Sequence, residues 1–520
     1  MERINSEKIL AEEVGVLDTN SEWLGIPKSH LMECAGYSFA IEVLKKYKLK
    51  ESSRVVIFCG TGNNGGDGFV IARHLSSFGI NIWVILIGSP ENIRTEEAKL
   101  NWNIISKSLT EFVHIIIIKD SKELSKIQER ILAEENNTLL IDGLLGTGIK
   151  GKIREPIASA INLINELKKE HPNSTVVSID VPSGLDPNTG EVYDKAVKSD
   201  LVITFHRAKN GLDIKSDFIG EIIVRSIGIP QEAHLFVGRG DFLPTLKIRK
   251  PETHKGGFGR LLVIGGSKDY SGAPAYSSLT ALNFGLDLVI TYTPEVIGDV
   301  IRKYSPNYII RTNPGDWLNL NALPEILELI EWSNSIIIGP GMGQKKETEE
   351  LLVEILKELQ IHPKPCVLDA DALKLIKNHL DLIKNQRIIL TPHEGELNII
   401  TGGILSHIED VSGRVSAICS LAKNLGTTLL LKGKFDYISD GKRTKINRTG
   451  CPEMSIGGTG DVLAGLCGCF LATENELFNS ACSAAFLNGY IGEFCKNTIG
   501  SRFTAMDMIN NLREGISRLL

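Results

Sequence analysis

Val55–Cys59 reads VVIFC, runs directly into GTGNNGGDGF at Gly60–Phe69, and continues as VIARHLSSFG to Gly79. A short β-branched run, a glycine-rich turn and a helix-like stretch make a strand-turn-helix unit. The apolar run is blocky rather than alternating, as expected for a parallel strand covered by helices on both faces. The signature recurs at INIWVILI (80–87), TLLID (138–142), TVVSID (175–180) and LVITF (201–205). After EIIVRSIGIP (221–230) a stretch rich in proline, charge and glycine, HLFVGRGDFLPTLKIRKPETHKGGFG (234–259), reads as a domain junction centred near Arg239. The strand-helix pattern restarts at RLLVIGG (260–266), LDLVITYT (286–293), SIIIGPG (335–341), CVLDADAL (366–373), RIILTPH (387–393) and TTLLLKGK (427–434). The expected organisation is an α/β domain over 1–225, a linker over 226–240 and a second α/β domain over 241–520.

Composition narrows the function classes. With 42% hydrophobic and 23% charged residues, the 520-residue chain can bury real cores. Its net charge of -6, with basic residues scattered among acidic ones, argues against nucleic acid as a partner. The nine cysteines show neither a CxxC pair nor zinc spacing. With no apolar leader and no long apolar run, a cytoplasmic protein with no membrane partner is expected. Fifty glycines are the notable excess, which points to loops where the backbone turns sharply or approaches a ligand closely.

Gly60, Gly62 and Gly65 satisfy GxGxxG, and such a loop before a helix directs backbone N–H groups and the helix's positive end at an anion. The acidic residue that an ordinary dinucleotide fold carries at the end of its next strand is missing, because Gly88 and Ser89 stand there. The loop instead carries Asn63, Asn64 and Asp67. A second glycine loop, Gly146–Lys152, meets the GxxxxGK half of a phosphate-binding P-loop, but Ile153 replaces the hydroxyl that would hold magnesium. A third strand ends at Asp180 and leads into VPSGLDPNTG. Ends of parallel strands share one edge of the sheet, so Asn64, Asp142, Asp180 and Ser183 either converge on a ligand and an oxygen-bound cation, or the two aspartates cap their own turns.

In the second half, Gly457–Gly460 precedes a helix opening near Asp461. Amides at a helix N-terminus can neutralise phosphate charge, and a carboxylate beside them can take the proton of an attacking hydroxyl. Asp461 is the general-base candidate, and the helix dipole is expected to favour its ionised form. His393 and Lys432 each stand just past a strand end.

LMECAG (31–36), GTGNNGGDGF, DGLLGTGIKG (142–151) and DVPSGLDPNTG (180–190), in that order, resemble the NAD(P)H-hydrate epimerase domain. KGGFGRLLVIGGS (255–267), GPGMG, DADAL, TPHEGE, LKG and GGTGDVLAG resemble the ribokinase-like ADP/ATP-dependent NAD(P)H-hydrate dehydratase family. The resemblance implies a Rossmann-like three-layer αβα domain followed by a ribokinase-like α/β domain. It also implies that the protein epimerises hydrated NADH or NADPH and dehydrates the S form with ADP or ATP. On the same footing, Asn63, Asn64, Gly65, Gly66, Asp67, Gly146, Thr147, Gly148, Ile149, Lys150, Gly151, Lys152 and Asp180 would contact hydrated nucleotide in the first domain. Potassium would be held there by Asn64, Asp142 and Ser183, with Asp180 the proton-transfer residue. In the second domain Ala273, Gly341, His393 and Asp461 would face the hydrated cofactor. Lys432, Gly433, Lys434, Phe435, Asp436 and Gly460 would contact the adenine nucleotide, which magnesium accompanies. A homo-oligomer is expected. The alternative is a ribokinase-like small-molecule kinase with an accessory nucleotide-binding domain.

Overall fold

The computed structural model describes residues 8–109, 111–132, 138–148, 151–251, 254–403, 408 and 410–520. The chain divides into two compact units, Met1–Pro230 and Gln231–Leu520. The division falls inside the stretch read as a linker, and Gln231–Leu235 and Arg239–Phe242 are helical parts of the second unit.

The first unit runs α1 (Ala11–Trp23), α2 (Lys28–Tyr47), β1 (Arg54–Cys59), α3 (Asn63–Ser76), β2 (Asn81–Ile87), α4 (Glu96–Ser108), β3 (Val113–Ile118), α5 (Leu124–Leu132), β4 (Thr138–Gly143), α6 (Ile157–Glu170), β5 (Thr175–Ile179), β6 (Ser199–Phe205) and β7 (Ile219–Arg225). Its strands pair in the order β3-β2-β1-β4-β5-β6-β7, every pair parallel. Val56 and Phe58 of β1 pack with Ile161 and Ile164 of α6, while Ile57 and Cys59 face α3 on the other side. This is the three-layer Rossmann-like arrangement, in which the strand order reverses between β1 and β4. Ligands bind such folds in the crevice outside the carboxyl ends of those two strands.

The glycine-rich segment departs from the expected loop, since α3 already begins at Asn63 and NNGGDG forms its first turns. Glycine inside a helix costs about 1 kcal/mol relative to alanine, and here close packing offsets it. A Cβ on Gly65 would stand 1.9 Å from the Gly60 carbonyl oxygen, and one on Gly68 would stand 2.6 Å from Cys59 Sγ. These glycines let α3 lie directly against the turn after β1. Gly65→Ala is therefore expected to destabilise the first unit by about 1–3 kcal/mol, read by thermal unfolding, because a backbone oxygen cannot swing aside as a side chain can.

The second unit adds α7 (Gln231–Leu235), α8 (Arg239–Phe242), β8 (Arg260–Ile264), α9 (Gly272–Phe284), β9 (Leu288–Pro294), α10 (Glu295–Arg302), β10 (Ile309–Asn313), α11 (Leu323–Trp332), β11 (Ser335–Ile338), α12 (Lys346–Ile361), β12 (Cys366–Leu368), α13 (Asp371–Leu375), β13 (Ile388–Leu390), α14 (Glu394–Thr401), α15 (Val411–Leu425), β14 (Thr428–Leu431), β15 (Asp436–Ser439), β16 (Thr444–Asn447), α16 (Thr459–Ala472), α17 (Leu477–Thr498) and α18 (Ala505–Leu519). The sheet order is β10-β9-β8-β11-β12-β13-β14-β15-β16, parallel as far as β14 and antiparallel beyond it. Alternate strand residues feed two cores. Leu261, Val263 and Ile337 pack with α16 and α17, while Leu262, Ile264 and Ile336 pack with α12. From Val462 to Ala472 every residue of α16 is buried, as expected of a helix apolar on all sides. Among the described residues no helix is long and apolar enough to cross a membrane.

Candidate functional site

The carboxyl edge of the first sheet carries a cavity of about 150 Å³. Asn63, Asn64, Asp67, Gly146, Thr147 and Asp180 line it, together with Asp18, Glu97, Lys28, His206 and Lys209. The turns after β1 and β4 are stitched together beneath it, with Gly60 N donating to Gly143 O at 3.0 Å. Asn64 Nδ2 donates to Leu145 O at 2.9 Å and to Ile179 O at 3.1 Å, so one side chain joins three strand ends. Asp142 is fully buried. It accepts from Ser183 Oγ at 2.6 Å, Ser183 N at 2.8 Å and Ser178 Oγ at 2.7 Å. Burial pushes its carboxyl above the usual range, those donors pull it back, and no cation pairs with it among the described residues.

Asp180 adopts a left-handed backbone, with φ 62°. Its Oδ1 accepts from Thr204 Oγ1 at 2.9 Å, from Phe205 N at 3.1 Å and from the fully buried Lys209 ammonium. Lys209 also donates to Phe205 O at 3.1 Å. Asp67 has no hydrogen-bond partner among the described residues, and its carboxyl lies well above the ordinary range, from burial first and then from Asp180 and Asp18. Gly65 and Gly66 are buried packing positions of α3. Gly148 makes no close approach, Gly151 and Lys152 are exposed and outside the cavity lining, and Ile149 and Lys150 lie outside the described residues.

In the second unit the carboxyl ends of β8, β11, β12, β13 and β14 lie along one edge. Gly341, at φ 63°, abuts this edge so closely that a Cβ would stand 2.8 Å from Tyr270 Cβ and 3.3 Å from Ala273 Cβ. An isolated bridge joins His393 to Lys432, and Lys432 N donates to Pro392 O at 2.8 Å. His393 caps α14, with its backbone N donating to Glu396 Oε2 at 3.0 Å. Lys432 Nζ donates to the buried Asp369 at 2.8 Å and lies 4.0 Å from Glu396 Oε2. A Cβ on Gly460 would stand 3.6 Å from the same ammonium, which ties the lysine to the first turn of α16. That helix starts from Gly458 at φ 96°, and its first intrahelical bond runs from Val462 N to Gly458 O at 3.0 Å. The amides of Thr459, Gly460 and Asp461 therefore have no partner within the helix.

Asp461 sits in this first turn, and its carboxyl is pushed up to about 7. Burial is the main cause, Asp369 adds to it, and Lys432 opposes it. The expectation that the helix dipole would favour the ionised form is thus overturned by desolvation and a like charge. Asp436 turns back into its own loop, accepting from Gly433 N at 3.1 Å and Asn447 Nδ2 at 3.0 Å, and burial raises it to about 6. Lys434 Nζ lies 5.5 Å over the Phe435 ring, and Arg448 covers Phe435 at 5.7 Å.

Sequence reasoning assigned no role to Asp18, Glu97, Lys209, Asp369 or Glu396. Asp369 and Lys209 carried a usable signal, a charged residue at or just past a strand end. Asp18 carried none, since α1 has no glycine loop and reaches the cavity only through contacts with residues far along the chain.

The comparisons divide the chain in the same way. Residues 28–211 match the family model described as YjeF-related protein N-terminus, and 261–513 match that of NAD(P)H-hydrate dehydratase. The bifunctional NAD(P)H-hydrate repair enzyme Nnr of Methanothermobacter thermautotrophicus is 41% identical over 96% of this chain and 93% of its own. That of Pyrobaculum aerophilum is 40% identical over 98% of each. Among solved structures, the ADP/ATP-dependent NAD(P)H-hydrate dehydratase of Bacillus subtilis co-crystallized with ATP and Mg2+ gives a TM-score of 0.46 at 24% identity, covering 55% of this chain and 99% of its own. With both halves matched in order and near full-length identity at this level, the chain belongs to the family of bifunctional NAD(P)H-hydrate repair enzymes.

Proposed function

We infer that this chain repairs hydrated NADH and NADPH. The first unit interconverts the R and S epimers, and the second uses ADP or ATP to return the S form to NAD(P)H. The observation that carries the reading is the Asp461 carboxyl, which lacks a hydrogen-bond partner among the described residues and stands in the first turn of α16 beside Lys432.

Asp461 accepts the proton of the substrate hydroxyl as that oxygen bonds to the terminal phosphorus. The phosphorus bond to the rest of the nucleotide breaks, so a poor leaving group becomes phosphate. Loss of phosphate and of a proton from the adjacent ring carbon restores the double bond. The amides of Thr459 and Gly460 and the Lys432 ammonium face the developing phosphate charge, with Asp369 positioning Lys432. Ala273, Gly341 and His393 frame the hydrated ring, and Lys432 to Asp436 with Gly460 take the adenine nucleotide. Among the described residues no three acidic or nitrogen ligands gather into a cage. Magnesium would be held through the nucleotide's phosphates and would neutralise their charge during transfer, as suits an ion commonly bound through phosphates and one or two carboxylates.

In the first unit Asp180 transfers the proton and Lys209 positions it. Asn63, Asn64, Asp67, Gly146 and Thr147 bound the space for the hydrated ring. A buried Asp142 with no cationic partner fits a nearby monovalent cation, for which Asn64, Asp142 and Ser183 offer oxygens. Potassium there would supply charge compensation and hold the three strand ends in place. Nine unpaired cysteines suit a reducing, cytoplasmic setting.

Separated epimers of hydrated NADH supplied with ADP or ATP test this reading through NADH absorbance. The intact chain is expected to repair both epimers, and Asp180→Ala to slow only the R form. A chain that consumes nucleotide with a sugar or vitamin hydroxyl and returns no NADH would be the kinase alternative instead.

A further inference from the structure

We propose that Asp18 is a second proton-transfer residue of the epimerase, working with Asp180 from a different wall of the same cavity. The inference rests on reading that cavity as the epimerase site. Asp18 lies on α1, before the segment 28–211 that the family model matches.

The helix is fastened to the site rather than merely lying near it. Ile9 forms an isolated parallel bridge with Lys209, with Ile9 N donating to Ala208 O at 2.9 Å and Asn210 N donating to Ile9 O at 3.0 Å. Ala11 N donates to Asn188 Oδ1 at 2.8 Å, and Lys8 Nζ to Leu212 O at 2.8 Å. The residue clipped to the start of α1 is therefore the lysine that holds Asp180, and the same helix brings the Asp18 carboxyl to the cavity wall.

Burial first, and then the charges facing Asp18, make it hold its proton more tightly than usual. Asp180 faces it from the end of β5, Asp67 from α3 and Glu97 from α4, against Lys28 on α2, Lys209 and His206 after β6. Lys209 is committed to Asp180. Four carboxyls lining one cavity with few cations beside them repel one another's charge. Burial and Asp180 raise Asp18 to about 6, close enough to neutrality for it both to give and to take a proton.

Epimerisation at the hydroxylated carbon, which is bonded to the ring nitrogen, needs such a pair. Protonated Asp18 gives its proton to the hydroxyl, the carbon–oxygen bond breaks, and water leaves with the bonding electrons. The nitrogen lone pair forms the carbon–nitrogen double bond. Water adds to the other face and loses a proton to the Asp180 carboxylate. Protons balance, and the enzyme is left poised for the reverse direction.

The test follows R-to-S interconversion by chromatography without nucleotide, across pH, in the intact chain, Asp18→Asn and Asp18→Glu. Asp18→Asn is expected to lower kcat about 10²-fold with little change in KM, and to lose the limb near pH 6. Asp18→Glu should recover part of the rate and the limb. Stability separates this role from a structural one. A carboxyl raised from 3.8 to about 6 on folding binds its proton more tightly in the folded state, so above that window its charge opposes folding. Asp18→Asn should then keep or raise the melting temperature at pH 8. An active wild type with an Asp18→Asn variant of equal rate and unchanged limb overturns the role of Asp18. A lowered melting temperature in Asp18→Asn with its pH limb intact overturns it equally, in favour of packing. A wild type that interconverts nothing removes the epimerase reading itself, and this inference with it.

Discussion

Asp461→Asn is expected to lower NAD(P)H formation from either epimer by about 10³-fold or more, because both epimers leave through the same phosphoryl transfer. Binding should persist. The asparagine keeps the size of the side chain and leaves the glycine turn and Lys432 in place, so the loss should appear in kcat with KM little changed. In the wild type the base must be ionised, and its carboxyl is raised to about 7. The dehydration rate should accordingly climb as pH rises through about 7, a limb absent from Asp461→Asn. Stability should move the other way. The folded unit holds this proton more tightly than the unfolded chain does, so ionising Asp461 opposes folding at pH 8 and its replacement should keep or raise the melting temperature. A variant with near wild-type turnover would remove Asp461 from the chemistry. A catalytic group kept at a cost to stability is the common trade at active sites.

Lys209→Met is expected to destabilise the first unit by about 3–5 kcal/mol and to abolish epimerisation, leaving dehydration of the S form in place. The lysine is fully buried and bonds Asp180, Thr204 Oγ1 and Phe205 O. Removing it leaves Asp180 as a half-buried carboxylate among Asp18, Asp67 and Glu97 with its compensating charge gone. The double variant Lys209→Met with Asp180→Asn removes that charge as well and should regain much of the lost stability, read by denaturant unfolding, without regaining epimerisation. If the single variant unfolds no more readily than wild type, the ion pair does not hold this wall of the cavity.

The strands that were legible from sequence are the interior ones. VVIFC, TLLID and TVVSID lie between other strands and are covered on both faces, so nearly every residue is apolar and the run stands out. β3, β7, β10 and β16 are edge strands with mixed exposure, as in VHIIII and IGEIIVR, and their patterns did not separate from the surroundings. The helical start of α3 was hidden for a related reason. Glycine-rich sequence signals a loop by propensity, whereas Gly65 and Gly68 serve contacts with β1 and its following turn that no local reading contains.

By itself the sequence determined two α/β halves and the segments that follow strands, at Gly60–Asp67, Gly146, Asp180–Ser183, His393 and Lys432, with Gly457–Asp461 at the start of a helix. It could do so because a parallel strand-helix repeat puts each strand's following loop on one edge, making the site a local reading repeated several times. Tertiary structure alone decided the protonation of the site and the company its residues keep. Asp18 shares a cavity with Asp180 on a helix tied in by a bridge from Ile9 to Lys209, Lys432 leans on Asp369, and Asp461 is raised to about 7. Charge and desolvation act through space between residues far apart in the chain, and only packing sets those distances.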